Sequence, residues 1–249
     1  MSEQAQQNHV TATKRLHDIL LKARSYDNHH AIKDVWAEIL GVKKDDFREL
    51  YFALTKLHEL VDETEKAVNK SELRNKNLYL RCLPPIRAAI SHWTLNGQWA
   101  AITYHITPSV LQDLEHCVEA VWDFKVEESI DNEELKRVSD EVDDAFQSVE
   151  SSDLDPEVKR VVLEMLENTR RLLVNCRIRG AEALREALTQ AIGNLVTVRS
   201  SMTQDAHWQK VIKVIVTLDN IYSRATKYAP LLKPIMPLLL PAAAASIHK

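Results

Sequence analysis

The side chains best suited to chemistry in this chain are ten histidines, three cysteines, a run of carboxylates and a group of arginines. Histidines bind metals or move protons when they converge with partners. His29 and His30 are adjacent, and neighbouring helical positions point in different directions. No HExxH spacing occurs, and His116 and Cys117 diverge in the same way. Each histidine therefore reads as a surface or half-buried side chain and none as a ligand. Cys82, Cys117 and Cys176 are far apart, odd in number and without a CxxC pair, which argues against a zinc or redox motif. Each lies in an apolar stretch, as reduced core thiols do. On these readings the chain has no catalytic residue, no metal ligand and no cofactor.

The charged residues are more clustered. From Glu127 to Glu157 there are thirteen acidic residues against Lys136 and Arg137. Asp140 and Asp144 share a helical face, but a divalent cation needs oxygens from more than one element. A solvated helical face is the expected reading. Arg170, Arg171, Arg177, Arg179 and Arg185 follow, and guanidinium forks suit carboxylate or phosphate. The adjoining acidic helix is their expected partner, ahead of any external ligand. A net charge of -4 and the lack of an aromatic-basic module argue against nucleic acid.

The C-terminal residues 229–249 form an apolar tail broken by Pro230, Pro234, Pro237 and Pro241. A spanning helix needs about 20 apolar residues, and the uncharged part from Ile235 to Ile247 is shorter than that and holds two prolines. Three readings compete. The tail covers a groove of its own bundle, docks on a partner or a second copy, or inserts into membrane after oligomerisation. The first two are favoured, since exposed apolar runs mark contacts. Five tryptophans, Trp36, Trp93, Trp99, Trp122 and Trp208, lie on or near apolar stripes and read as core. Trp93 and Trp99 flank Gly97, which leaves one of them available to a binding surface.

The elements that must position these groups read as helices. Hydrophobic residues make up 45% of the chain and charged residues 27%, and only four glycines are present. Scarce glycine argues against the tight turns of an all-β fold. Leu16, Ile19, Leu20 and Ala23 share one face. Asn28 is expected to cap a helix carrying Ile32, Val35, Trp36 and Ile39, with Gly41 at its C′ position. Asp45 or Asp46 opens a long helix whose expected buried stripe is Phe47, Leu50, Tyr51, Leu54, Leu57, Val61 and Val68. From Ser71 to Thr107 the pattern is less regular. Pro85 suits the first turn of a helix bearing Ile86, Ala89, Ile90 and Trp93, and the alternation Ile102, Tyr104, Ile106 allows a short strand. Thr107–Pro108 and Asp155–Pro156 open further helices, and Asp131 with Glu134 resembles a capping box. Gly180 separates two helices within Asp155–Val198. The last helix spans about Ala206–Tyr228, with Trp208, Val211, Ile212, Ile215, Leu218, Tyr222 and Ala225 on one face.

The block Glu150-Ser151-Ser152-Asp153-Leu154, followed by Arg177-Ile178-Arg179-Gly180-Ala181-Glu182-Ala183-Leu184-Arg185-Glu186-Ala187-Leu188, resembles one in uncharacterised bacterial all-helical proteins. The likeness covers about Asn132–Leu195. It implies a bacterial origin and a recurrent helical hairpin, and it carries no activity across.

The expected fold is all-α: a bundle of about eight to ten helices built from antiparallel hairpins. The expected organisation is an N-terminal helical half, 1–127, C-terminal hairpins, 128–228, and the tail, 229–249. Residues Met1–His9 lack the apolar core of a signal peptide, so a cytoplasmic location is expected, with peripheral membrane association through 229–248 as the variant. The expected function is non-enzymatic: protein–protein interaction or regulation, through another protein or self-association. The expected contact residues are Arg177, Arg179, Arg185, Leu231, Leu232, Ile235, Met236, Leu238 and Leu239. The alternative is a membrane-active effector of toxin or phage-defence type whose tail inserts on activation.

Overall fold

The computed structural model describes residues 9–91, 95–121, 127–128, 130–202, 206–235 and 237. The fold is all-α. The helices are α1 (Ala12–Arg24), α2 (Ile32–Leu40), α3 (Phe47–Lys70), α4 (Lys76–Leu80), α5 (Leu83–Ile90), α6 (Ala100–Thr103), α7 (Pro108–Ala120), α8 (Asn132–Glu150), α9 (Pro156–Arg179), α10 (Ala181–Met202) and α11 (Ala206–Thr226). The sheet found among the described residues pairs β1 (His9–Val10) with β2 (Glu127–Glu128). The chain divides into two compact units. The first is Met1–Glu127 together with Arg177–Arg179, and the second is Glu128–Cys176 with Gly180–Lys249.

In the first unit α3 is the longest helix. Asp46 caps it, accepting a hydrogen bond from the Glu49 amide at 3.0 Å. It packs on α1, α2, α4 and α5. Its buried face is Leu50, Ala53, Leu54, Leu57, Leu60, Val61, Thr64, Ala67 and Val68. Phe47 and Tyr51, expected on that face, are exposed instead. The contact is centred on the side of the helix that carries Ala53, Leu57, Leu60, Thr64 and Ala67. The two aromatics are left beyond its edge.

Asn28 does not cap α2. Its Oδ1 accepts from Thr103 Oγ1 at 2.8 Å, and the residue before α2 is Ala31, which makes no side-chain cap. The orphan amides at the start of the helix are met by main chain from far away: Ile32 donates to Gly97 O at 3.0 Å and Lys33 to Leu95 O at 2.8 Å. Trp99 N in turn donates to His30 O at 2.8 Å. This pairing fixes the irregular segment around Gly97. The Ile102–Ile106 alternation is not a strand, because Ala100–Thr103 forms the short helix α6. Trp99 is fully buried, meets Trp36 edge-to-face at 5.1 Å, and donates its indole N–H to Ala23 O at 3.0 Å. Trp36, Trp99 and Trp208 are all core, while Trp93 and Trp122 lie outside the described residues.

The second unit is built from α8, α9, α10 and α11. Helix α11 packs against both α8 and α10. Trp208, Val211, Ile212, Val214, Ile215, Leu218, Ile221, Tyr222 and Ala225 are all buried, so the broad apolar face read from the sequence is a helix centred in a core. Asp155 caps α9 by accepting from Glu157 N at 2.9 Å. Gly180, at φ 60° and ψ -142°, separates α9 from α10. Asp131 caps α8 through Glu133 N at 3.1 Å. The reciprocal half of the expected capping box is not made, because the Glu134 carboxylate faces Arg224 of α11.

Candidate functional site

The acidic helix α8 accounts for much of the charge in the second unit. Lys210 and Lys213 of α11 pair with Asp144 at 3.0 Å and Glu141 at 2.9 Å, and Arg224 pairs with Glu134. The partners run in opposite order along the two helices, so the ladder is antiparallel. Of the arginine group, Arg170 reaches α8, donating from Nε to Asp143 Oδ1 at 2.8 Å. Its guanidinium also lies 5.2 Å from the Phe146 ring centroid. The expectation that the arginines would pair with α8 holds for Arg170, and the α11 cations, not singled out from the sequence, pair with Glu134, Glu141 and Asp144. Asp144 is engaged by Lys210, and no cluster of metal-ligating side chains occurs among the described residues.

The expected contact residues are dispersed. Arg185 is exposed and donates from Nε to Glu182 of its own helix at 3.0 Å. Arg177 and Arg179 belong with the first unit. Arg177 is exposed and lies against Gly41, where a Cβ would come within 2.7 Å of its Nη1. Gly41 sits at φ 76°, a left-handed conformation that glycine adopts without strain. Arg179 is half-buried, and the carbonyl of Ile178 between the two accepts from Arg15 Nε at 3.1 Å.

The first turn of the tail folds back on its own bundle. Asp219 is buried, and its carboxylate accepts from Leu231 N at 2.8 Å and Leu232 N at 3.1 Å. Leu232 is buried, and Leu231 and Ile235 pack at the edge of the second unit's core. Leu232 thus covers its own groove, while Leu231 and Ile235 keep part of their surface exposed. Met236, Leu238 and Leu239 lie outside the described residues. Among the described residues no helix is long and apolar enough to cross a membrane.

Two serine–histidine contacts are present. Ser91 Oγ lies 3.1 Å from His58 Nε2 and Ser148 Oγ lies 2.6 Å from His207 Nδ1. A nucleophilic dyad needs a third group to orient the imidazole. The carboxylate one turn from His58, Asp62, is instead engaged by Arg87 at 2.5 Å. Burial and the Arg87 charge push the His58 imidazole below its ordinary range. These contacts tie α3 to the end of α5 and α8 to α11.

Two features of the first unit remain, and sequence reasoning missed both. On α3, Phe47, Tyr51 and Phe52 are 42%, 54% and 41% exposed within little more than one turn. Lys33 sits 5.5 Å from the Phe47 ring centroid and Lys56 5.3 Å from that of Phe52. Cations over ring faces of this kind stabilise exposed aromatics modestly. The hydrophobic period alone would bury Phe47 and Tyr51, so only the actual packing identifies them as surface.

The second feature joins α4, α5 and α7. Cys82, just before α5, and Cys117, on α7, are both fully buried, and their sulfurs are 4.0 Å apart. Each sulfur lies within hydrogen-bond distance of the Tyr79 carbonyl, at 3.3 Å and 3.0 Å, so one S–H donates there while the other donates to its partner's sulfur. The hydrogen bond between them holds the Cys117 thiol below its ordinary range and pushes the Cys82 thiol well above it. Arg81 donates in a fork to Asp113, with Nε 2.8 Å from Oδ2. Tyr79, Arg81, Asp113, His116, Leu73 and Leu78 line a cleft of about 470 Å³ on the outer side of this pair. The absence of a CxxC spacing concealed the thiol pair, because its members stand 35 residues apart. No family model, curated protein or solved structure matches the chain.

Proposed function

We propose that this chain is a non-enzymatic, protein-binding helical protein of the bacterial cytoplasm. Its contact surface is the Phe47–Tyr51–Phe52 face of α3. The observation that carries this reading is the exposure of three large aromatic rings, at 41–54%, on one end of a helix whose other face is core. Aromatic side chains are enriched at the centres of interfaces, where they bury large area at low entropic cost. Lys33 and Lys56 flank the rings, so a partner with an apolar patch rimmed by carboxylates fits best. This reading moves the contact surface away from the tail, whose Leu231 and Leu232 amides are held by Asp219.

The test is site-specific photo-crosslinking from position 51 in the full chain, with exposed Thr189 as the control position. A stoichiometric adduct from position 51, to another protein or to a second copy, is expected. The paired substitution Phe47→Ser and Phe52→Ser should abolish it at a cost of about 1 kcal/mol per site, since each ring is more than half buried, while circular dichroism shows the chain still folded. Equal yields from positions 51 and 189, or no adduct from either, would overturn the reading.

A further inference from the structure

We propose that Cys82 and Cys117 form a reversible dithiol–disulfide pair, and that its oxidation reshapes the cleft beside it. Three observations converge. The two sulfurs already touch at 4.0 Å, and a disulfide bond of about 2.05 Å requires them to close by roughly 2 Å. Cys176, the third cysteine, belongs to the core of the second unit, so the pairing is specific. The segment that adjoins the thiols is α4, which has no buried residue and no side-chain cap. A helix so weakly anchored opens at low free energy, and local opening admits a small reagent to buried thiols.

The oxidant is a small-molecule disulfide. In the opened state the Cys117 thiolate attacks one sulfur of the reagent, whose S–S bond breaks. One thiolate leaves and takes up the proton shed by Cys117. The Cys82 sulfur then attacks the Cys117 sulfur of the mixed disulfide, forms the internal S–S bond and expels the second reagent thiolate, which takes up the Cys82 proton. Two electrons pass from the protein dithiol to the reagent, and the products are one protein disulfide and two reagent thiols. The lowered Cys117 thiol suits it to the first attack.

Structural coupling follows from the shared acceptor. In the dithiol one S–H donates to Tyr79 O and the other across the pair. In the disulfide neither proton remains, and that carbonyl loses its thiol donor. Tyr79 and Arg81 line the cleft from one side, next to Cys82 in sequence. Asp113 lines it from the other, one helical turn before Cys117. Drawing the sulfurs together therefore displaces both ends of the Arg81–Asp113 pair.

The experiment equilibrates the full chain in glutathione–glutathione disulfide buffers of graded ratio, followed by acid quench, alkylation of free thiols in denaturant, and peptide mass spectrometry. The expected product is a Cys82–Cys117 linked peptide, with Cys176 still alkylated, reversed by dithiothreitol and retained in Cys176→Ala. Amide hydrogen exchange across residues 76–81 is expected to accelerate at least several-fold in the oxidised form. Glutathione adducts or disulfides that include Cys176 as often as the pair would overturn the proposal. So would a folded chain that stays reduced in buffers that oxidise the urea-unfolded chain. Unchanged exchange at residues 76–81 after clean disulfide formation would overturn the coupling.

Discussion

Each of the two units is held together internally by its own means. In the second, long helices with regular apolar stripes lie side by side, and their flanks are joined by an ordered ladder: Asp144 with Lys210, Glu141 with Lys213 and Glu134 with Arg224. In the first, the helices that pack around the apolar face of α3 are also joined by single unrepeated contacts. Main-chain bonds run from Ile32 and Lys33 to Gly97 and Leu95, an indole donates to Ala23, and a thiol pair shares one carbonyl. Repeated weak contacts spread stability over many residues, because exposed ion pairs contribute little each. Unrepeated buried contacts concentrate it in a few.

Removal of one such contact from the first unit should therefore have the largest effect. Trp99→Ala vacates a fully buried site against Trp36 and removes the indole donor to the Ala23 carbonyl. It should destabilise the chain by about 3–5 kcal/mol, the range for large aromatic deletions, as read by urea unfolding followed by circular dichroism. A loss below about 1 kcal/mol would show that the segment around Gly97 is held by its main-chain pairing alone.

In the second unit the buried Asp219 carboxylate ties the start of the tail to α11. Asp219→Ala leaves the Leu231 and Leu232 amides without their acceptor and should cost roughly 1–3 kcal/mol. Its local signature is faster hydrogen exchange at those two amides and faster tryptic cleavage after Lys227. Unchanged cleavage would mean that the packing of Leu232 suffices to hold the first turn of the tail.

The smallest effect is expected between the helix flanks. A double-mutant cycle with Arg170→Ala and Asp143→Ala should return a coupling below about 1 kcal/mol that shrinks as salt rises, as half-exposed pairs do. The single Arg170→Ala change should cost more than the coupling, because its guanidinium also covers the Phe146 ring. A large, salt-insensitive coupling would erase the contrast drawn between the units.

The same contrast governs how legible each region was. Helix starts such as Thr107–Pro108 and Asp155–Pro156 are local, since a side chain caps an amide two or three residues on. The stripe of α11 is local too, because it depends only on helical period. The α2 start is not legible at Asn28, because its amides are satisfied by carbonyls more than sixty residues away in sequence. Phe47 and Tyr51 were misplaced because period gives an apolar face but not where a neighbour's contact ends. Among the expected contact residues, Arg185 kept to its own helix, whereas Leu232 was spent on the core.

The sequence by itself determined that this is an all-helical chain, where most helices begin, and that its carboxylates would meet cations within the chain. Those properties rest on neighbours within a turn or two, where spacing and side-chain type suffice. The tertiary structure alone decided that three aromatics stay outside and that the tail's first turn hangs on a buried aspartate. It also decided that two cysteines 35 residues apart become a pair. Those outcomes depend on where separate helices come into contact, which no local pattern encodes.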